Sequence, residues 1–159
     1  MPTEPLVLPE RPEETRFRRA CVFLLGGATF AVDVCQAREV VMLDEFTRVP
    51  GAPAPLVGVA NLRGSVLPIL EARPLLGLAP QPIVVGSPAV VLADGPLTAA
   101  VAIDQVIGLD WYDEVRPLAG NDARPCAAFA AGELERRDEP PATLLDASIL
   151  LDALRRAWA

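Results

Sequence analysis

Apolar residues in this chain arrive in short runs, and a turn former closes most of them. Ala20–Leu25, Thr29–Val34, Arg38–Leu43, Val57–Leu62, Ser65–Leu70, Ala89–Ala93, Leu97–Ile103 and Val106–Trp111 follow one another, mostly with Gly, Pro, Asn or Asp between. Runs of this length suit strands and are too brief for stable helices. Gly26-Gly27 and Asp94-Gly95 predict two tight turns. Phe30, Val32 and Val34 share one face by period two. Val57–Leu62 and Ser65–Leu70 flank Arg63-Gly64, where Asn61 and Gly64 tolerate turn geometry and the turn projects Arg63. Pro68 has no N–H, so its strand is expected to be an edge or to be bulged there. Cys126–Leu134 and Ala142–Leu145 are the last strand candidates. The pattern predicts an all-β fold of small barrels or a sandwich.

Irregular stretches separate these strands. Residues 48–55 carry Pro50, Pro53 and Pro55 and read as a semi-rigid connector. Glu71–Leu78 has room for one helical turn ended by Gly77, and 79–88 is a Pro-rich link. Residues 1–16 hold Pro2, Pro5, Pro9 and Pro12 and are expected to form a flexible tail before an ordered domain over 17–159. The period changes only at the C-terminus. Ala147, Leu150, Leu151, Leu154 and Trp158 line one helix face, with Asp146 as N-cap and Arg155 and Arg156 at the cation-favouring end. That face serves either the core or a partner.

Charge and composition exclude whole classes of chemistry. Hydrophobic residues make up 52% of the chain, enough for a packed core. Fourteen basic against 21 acidic residues give a net charge of −7, which disfavours nucleic acid and anionic lipid as partners. His is absent, which removes His triads, His metal sites and His proton relays. All basic residues are Arg, so no P-loop or Schiff-base lysine exists. Cys21, Cys35 and Cys126 are widely spaced and read as buried reduced thiols. Met1–Arg19 has no apolar core segment and no run is long enough to span a bilayer, so a soluble cytoplasmic protein is expected.

The ordered series of segments resembles the CheW family of chemotaxis coupling proteins. Phe23–Gly27 with Phe30–Val34 looks like the family's opening hairpin, and Ala37-Arg38-Glu39-Val40-Val41 like its next strand. Thr47–Pro50 resembles the connector, and Gly58-Val59-Ala60-Asn61-Leu62-Arg63-Gly64 the family signature. Val66–Leu70, Arg73, Ala102–Gly108 and Leu144–Asp146 follow in register, so the resemblance covers roughly residues 17 to 154. It implies two intertwined five-stranded, SH3-like β-barrels with a groove between them and a short C-terminal helix. It implies no enzyme activity and no cofactor. It also implies an adaptor that joins chemoreceptor cytoplasmic tips to the regulatory domain of a CheA-type histidine kinase, with self-association left open.

The resemblance assigns residues as well. Arg63, Ala100, Val106 and Leu109 fall at receptor-binding positions, and Val34, Glu39, Val40 and Arg116 at kinase-binding ones. Glu39 and Arg63 are expected to form an ion pair, so Arg63 has both a structural and a contact reading. Val34, Val106 and Leu109 are equally open to a core role. Trp111 and Tyr112 are adjacent, so one faces the core and the other solvent, and the exposed one is an interface candidate. Glu133–Glu139 reads as a solvated hairpin loop. Small residues at Ala37 and Ala119, with polar Asn121, stand where the family carries larger ones. They motivate an alternative, an accessory adaptor that binds receptor but holds the kinase poorly. A small-ligand barrel or enzyme is the alternative of another class.

Overall fold

The computed structural model describes residues 17–158. The expected tail over 1–16 and the side chain of Trp158 lie outside the described residues. Among the described residues eleven strands form two sheets: β1 (Arg18–Leu25), β2 (Ala28–Asp33), β3 (Ala37–Leu43), β4 (Thr47–Arg48), β5 (Leu56–Leu62), β6 (Ser65–Leu70), β7 (Ser87–Asp94), β8 (Leu97–Ala102), β9 (Gln105–Tyr112), β10 (Ala130–Arg136) and β11 (Glu139–Leu145). The first sheet runs β10-β11-β2-β1-β9 and the second β3-β7-β8-β6-β5-β4. Pairing is antiparallel except for β11 with β2 and β6 with β8. The chain starts the first sheet, leaves it after β2, builds the whole second sheet, and returns at β9. This is the intertwined all-β architecture that the resemblance implied.

Alternation along three strands explains how two sheets share one core. On β1, Ala20 and Val22 face the interior of the first sheet, with Ala31, Leu134, Ala142 and Leu144. Cys21, Phe23 and Leu25 face the other way, into a core between the sheets. On β7 and β8, Ala89, Val91, Ala100 and Ala102 fill the interior of the second sheet. Val90, Leu92, Ala99 and Val101 join Phe23 and Leu25 in the middle. Strands buried on both faces read as continuous apolar runs, as these do. Arg136 of β10 donates to Asp110 of β9 at 2.9 Å, which draws the first sheet's two edges together. The expected solvated loop over Glu133–Glu139 is therefore mostly paired strand.

The terminal helix α1 (Ala147–Trp158) follows the first sheet but packs on β7 and β8 of the second. Leu150, Leu151 and Leu154 are at most 1% exposed, so the apolar stripe serves the core. Asp146 caps it: the Ser148 N–H donates to its Oδ1 at 3.0 Å. Burial pushes the Asp146 carboxyl up, but hydrogen bonds from Ser148 and Gln36 outweigh that and hold it below its ordinary value.

Four expectations need correction. Pro125–Phe129 is a 3-10 turn and the strand starts only at Ala130, because Pro125 presets a helical φ at the first position. Thr47–Arg48 adds a sixth strand to the second sheet. Only glycine at 58 permits it, since a Cβ there would run into the Thr47 carbonyl oxygen. Strand β6 is not an edge, but its second neighbour β8 pairs only Ile69 and Leu70, just past Pro68. Cys35 is exposed on the turn after β2, whereas Cys21 and Cys126 are buried free thiols.

Candidate partner-binding groove

The chain crosses between the sheets twice, after β2 and after β8, and a groove of about 520 Å³ lies between the crossings. One wall is Val34 with Ala37, Arg38, Glu39 and Val40 of β3. The other is Val106, Gly108 and Leu109 of β9, and Arg19 and Cys21 of β1 close the floor. A register shift makes this wall. Phe23 pairs with Val106 and Val22 with Gly108, so Ile107 is an extra residue in β9. Three positions apart on a regular strand, Val106 and Leu109 would face opposite sides. The extra residue resets the phase, so both lie on the face of Phe23 and Cys21.

That face outruns its cover. Phe23 and Cys21 are buried beneath the second sheet, but Leu109 is 57% and Trp111 68% exposed on the same face. Arg19, opposite Trp111 in the register, lays its guanidinium 5.4 Å from the indole centroid. On β3, Arg38, Val40 and Met42 point outward, while Leu43 is buried. Tyr112 is buried, as the adjacency with Trp111 predicts.

Polar contacts pin both crossings. Gln36 Oε1 accepts the Ala147 N–H at 3.0 Å, tying the first crossing to the helix N-terminus. Arg73, 4% exposed, donates from Nη1 to both Glu71 oxygens and from Nη2 to Asp104 Oδ1 at 2.5 Å. Asp104 Oδ2 then accepts the Gly26 N–H at 2.8 Å. The Tyr112 hydroxyl donates to Asp33, joining the ends of β9 and β2. Burial first, then that bond, pushes the Tyr112 hydroxyl well above its usual range. Burial pushes Asp33 up, yet hydrogen bonds from Tyr112 and the Cys35 N–H hold its carboxyl below its ordinary value.

Glu39 and Arg63 form the expected ion pair, with side chains 31% and 69% exposed. Arg63 and Gly64 take φ of 51° and 87°, so the arginine itself occupies the left-handed position. Asn61 supports the turn by accepting the Gly64 N–H at 2.9 Å. An exposed pair of this kind contributes about 0–1 kcal/mol. The pair spans from β3 to the β5–β6 turn beside a second groove of about 660 Å³.

The groove brings together residues expected on two surfaces. Val34, Glu39 and Val40 of the kinase set meet Val106 and Leu109 of the receptor set. Arg116 lies apart, bridged to Glu133 on the first sheet and 3.1 Å from its carboxylate. Ala100 is fully buried inside the second sheet beside Val91, and so offers no contact surface. It faces the interior because Val101, its neighbour, takes the face between the sheets. Of Trp111 and Tyr112, the exposed one is the interface candidate from sequence, and it is Trp111; Arg19 and Arg38 were assigned to no site. Arg38 follows the alternation of β3 and Arg19 that of β1, the strand that pairs with β9.

Glu39 is the one carboxylate lining the groove, and Arg63 holds it. Among the described residues no His, Cys, Asp and Glu cluster is spaced to hold a metal ion. Among the same residues no helix is long and apolar enough to cross a membrane.

Comparisons with known proteins match both the sequence and the fold. Residues 19–155 match the CheW-like domain model. The chain is 40% identical over 117 residues to the chemotaxis protein CheW of Rhizobium meliloti, covering 72% of this chain and 70% of that protein. It is 26% identical over 117 residues to the chemotaxis protein CheW of Klebsiella aerogenes, covering 74% and 67%. The fold matches the crystal structure of the scaffolding protein TtCheW from Thermoanaerobacter tengcongensis with a TM-score of 0.71 and 21% identity, over 81% of this chain and 88% of that one. The match over 19–155 shows that the chain belongs to the CheW-like domain family of non-enzymatic adaptors.

Proposed function

We propose that this protein couples a chemoreceptor to a CheA-type histidine kinase by holding both at once. The overhanging face of Leu109 and Trp111 carries this reading: it is core-like surface without a cover. An amphipathic helix from a receptor tip would seat its apolar ridge there, between Val106 and Val40. The kinase regulatory domain would take surface outside the groove, the exposed Met42 of β3 and the Arg116 region. Coupling is then positional, since tethering raises the local concentration of one partner near the other.

A second reading has its own support. The two residue sets converge on one groove, which favours one partner there at a time. The protein would then be an accessory adaptor that binds receptor and excludes kinase. Capture of a receptor cytoplasmic fragment with and without the kinase regulatory domain separates the two. A ternary complex supports coupling. Capture of receptor with no kinase recruited supports the accessory role, and capture of neither partner removes both.

A further inference from the structure

We infer that the groove selects an amphipathic helix carrying carboxylates, read by Arg19 and Arg38; this rests on the reading that the groove takes a partner helix. The chain as a whole is acidic, with a net charge of −7. The groove departs from that balance. Its charged lining consists of Arg19, Arg38 and Glu39, and Glu39 is already paired with Arg63. Among the described residues no carboxylate forms a salt bridge with Arg19 or Arg38.

Geometry prepares Arg19 for the task. Its guanidinium lies over the Trp111 ring. A cation–π contact of this kind ties none of the guanidinium N–H donors to a carboxylate, so they stay available to a partner. The stack also fixes a side chain that would otherwise lose rotamer freedom on binding. Arg38 stands on the opposite wall, on the outward face it shares with Val40. A helix lying on Leu109, Val106 and Val40 would thus meet two cations, Arg19 on the floor strand and Arg38 on the β3 wall. Carboxylates flanking its apolar ridge match that arrangement, and ammonium groups oppose it. Because the net charge of the protein repels anions, a preference for an acidic helix must come from these two side chains.

The test uses the full chain and three labelled synthetic helices with one shared apolar face. Their flanking positions carry Glu, Gln or Lys, and fluorescence anisotropy reads binding. The Glu helix is expected to bind roughly tenfold tighter than the Gln helix, and the Lys helix more weakly than either. The double variant Arg19→Glu, Arg38→Glu should reverse the order in favour of Lys. Leu109→Asp should abolish binding of all three. Equal binding of the Glu and Gln helices, lost in Leu109→Asp, overturns the charge selection and leaves groove docking standing. Binding that Leu109→Asp does not change, or no binding by any helix, overturns groove docking and this inference with it. Circular dichroism of each variant confirms that the sheets remain folded.

Discussion

The Arg73 guanidinium reaches Asp104 at 2.5 Å, and the same carboxylate accepts the Gly26 amide at 2.8 Å. One polar chain therefore runs from the end of β6 through the second crossing to the β1–β2 turn. Replacing Arg73 by Met keeps most of the side-chain volume but removes the counterion of Glu71, which is 12% exposed at its side chain and keeps only the backbone N–H groups of Gln81 and residue 73. Leaving one partner of a buried pair alone costs about 3 kcal/mol or more. Urea unfolding of Arg73→Met should show a matching drop in midpoint. An unchanged midpoint would mean that the node contributes nothing to holding the sheets together.

The Arg63 backbone supplies a second prediction. Arg63→Ala and Arg63→Gly lose the same exposed pair, yet only Gly is at ease at a φ of 51°. The Ala variant should be less stable than the Gly variant by about 1 kcal/mol. Equal stabilities by chemical denaturation would show that this turn carries no strain.

Acid should loosen the fold. Asp33 and Asp146 both sit below their ordinary value, and hydrogen bonds from Arg124 hold Asp122 at about 2. Groups with a lowered folded-state pKa add stability above their unfolded value, and that stability disappears as pH falls through the folded value. Stability should be level from neutral pH to about 5 and should decline below about 4. Asp146→Asn should flatten part of that decline. A decline beginning above pH 6 would place the responsible groups elsewhere.

Ala100 and Leu109 should separate folding from binding. Ala100 has no exposed surface, so Ala100→Leu overpacks the second sheet and costs about 1–3 kcal/mol. Leu109 is 57% exposed, so Leu109→Asp should change stability by no more than about 0.5 kcal/mol. It should nonetheless abolish capture of a receptor fragment. Thermal unfolding together with capture checks both halves, and a Leu109→Asp protein that still captures receptor counts against the groove.

Most strands were legible because apolar runs and turn formers alternate along the chain. Gly26-Gly27, Arg63-Gly64 and Asp94-Gly95 each mark a hairpin that the structure contains. The helix was legible because Leu150, Leu151 and Leu154 follow a different period. What stayed hidden depends on long-range packing. Nothing local distinguishes Ala100, inside one sheet, from Ala99, between the two. The extra residue at Ile107 shows itself only against the register of β1, and it decides whether Leu109 and Val106 share a wall. Cys126 looked like strand because it is apolar, but the preceding proline set a tighter turn.

The first sheet is assembled from both ends of the described chain: β1 and β2 on one side, β9 to β11 on the other. During synthesis the opening hairpin leaves the ribosome long before its neighbours exist. Its flanks must wait, unpaired and apolar, until β9 to β11 are made. The second sheet, whose strands are contiguous in sequence, is free to settle first and serve as a template. Pairings this distant in sequence form slowly, so a nascent chain stalled before β9 exposes the surfaces on which aggregation begins.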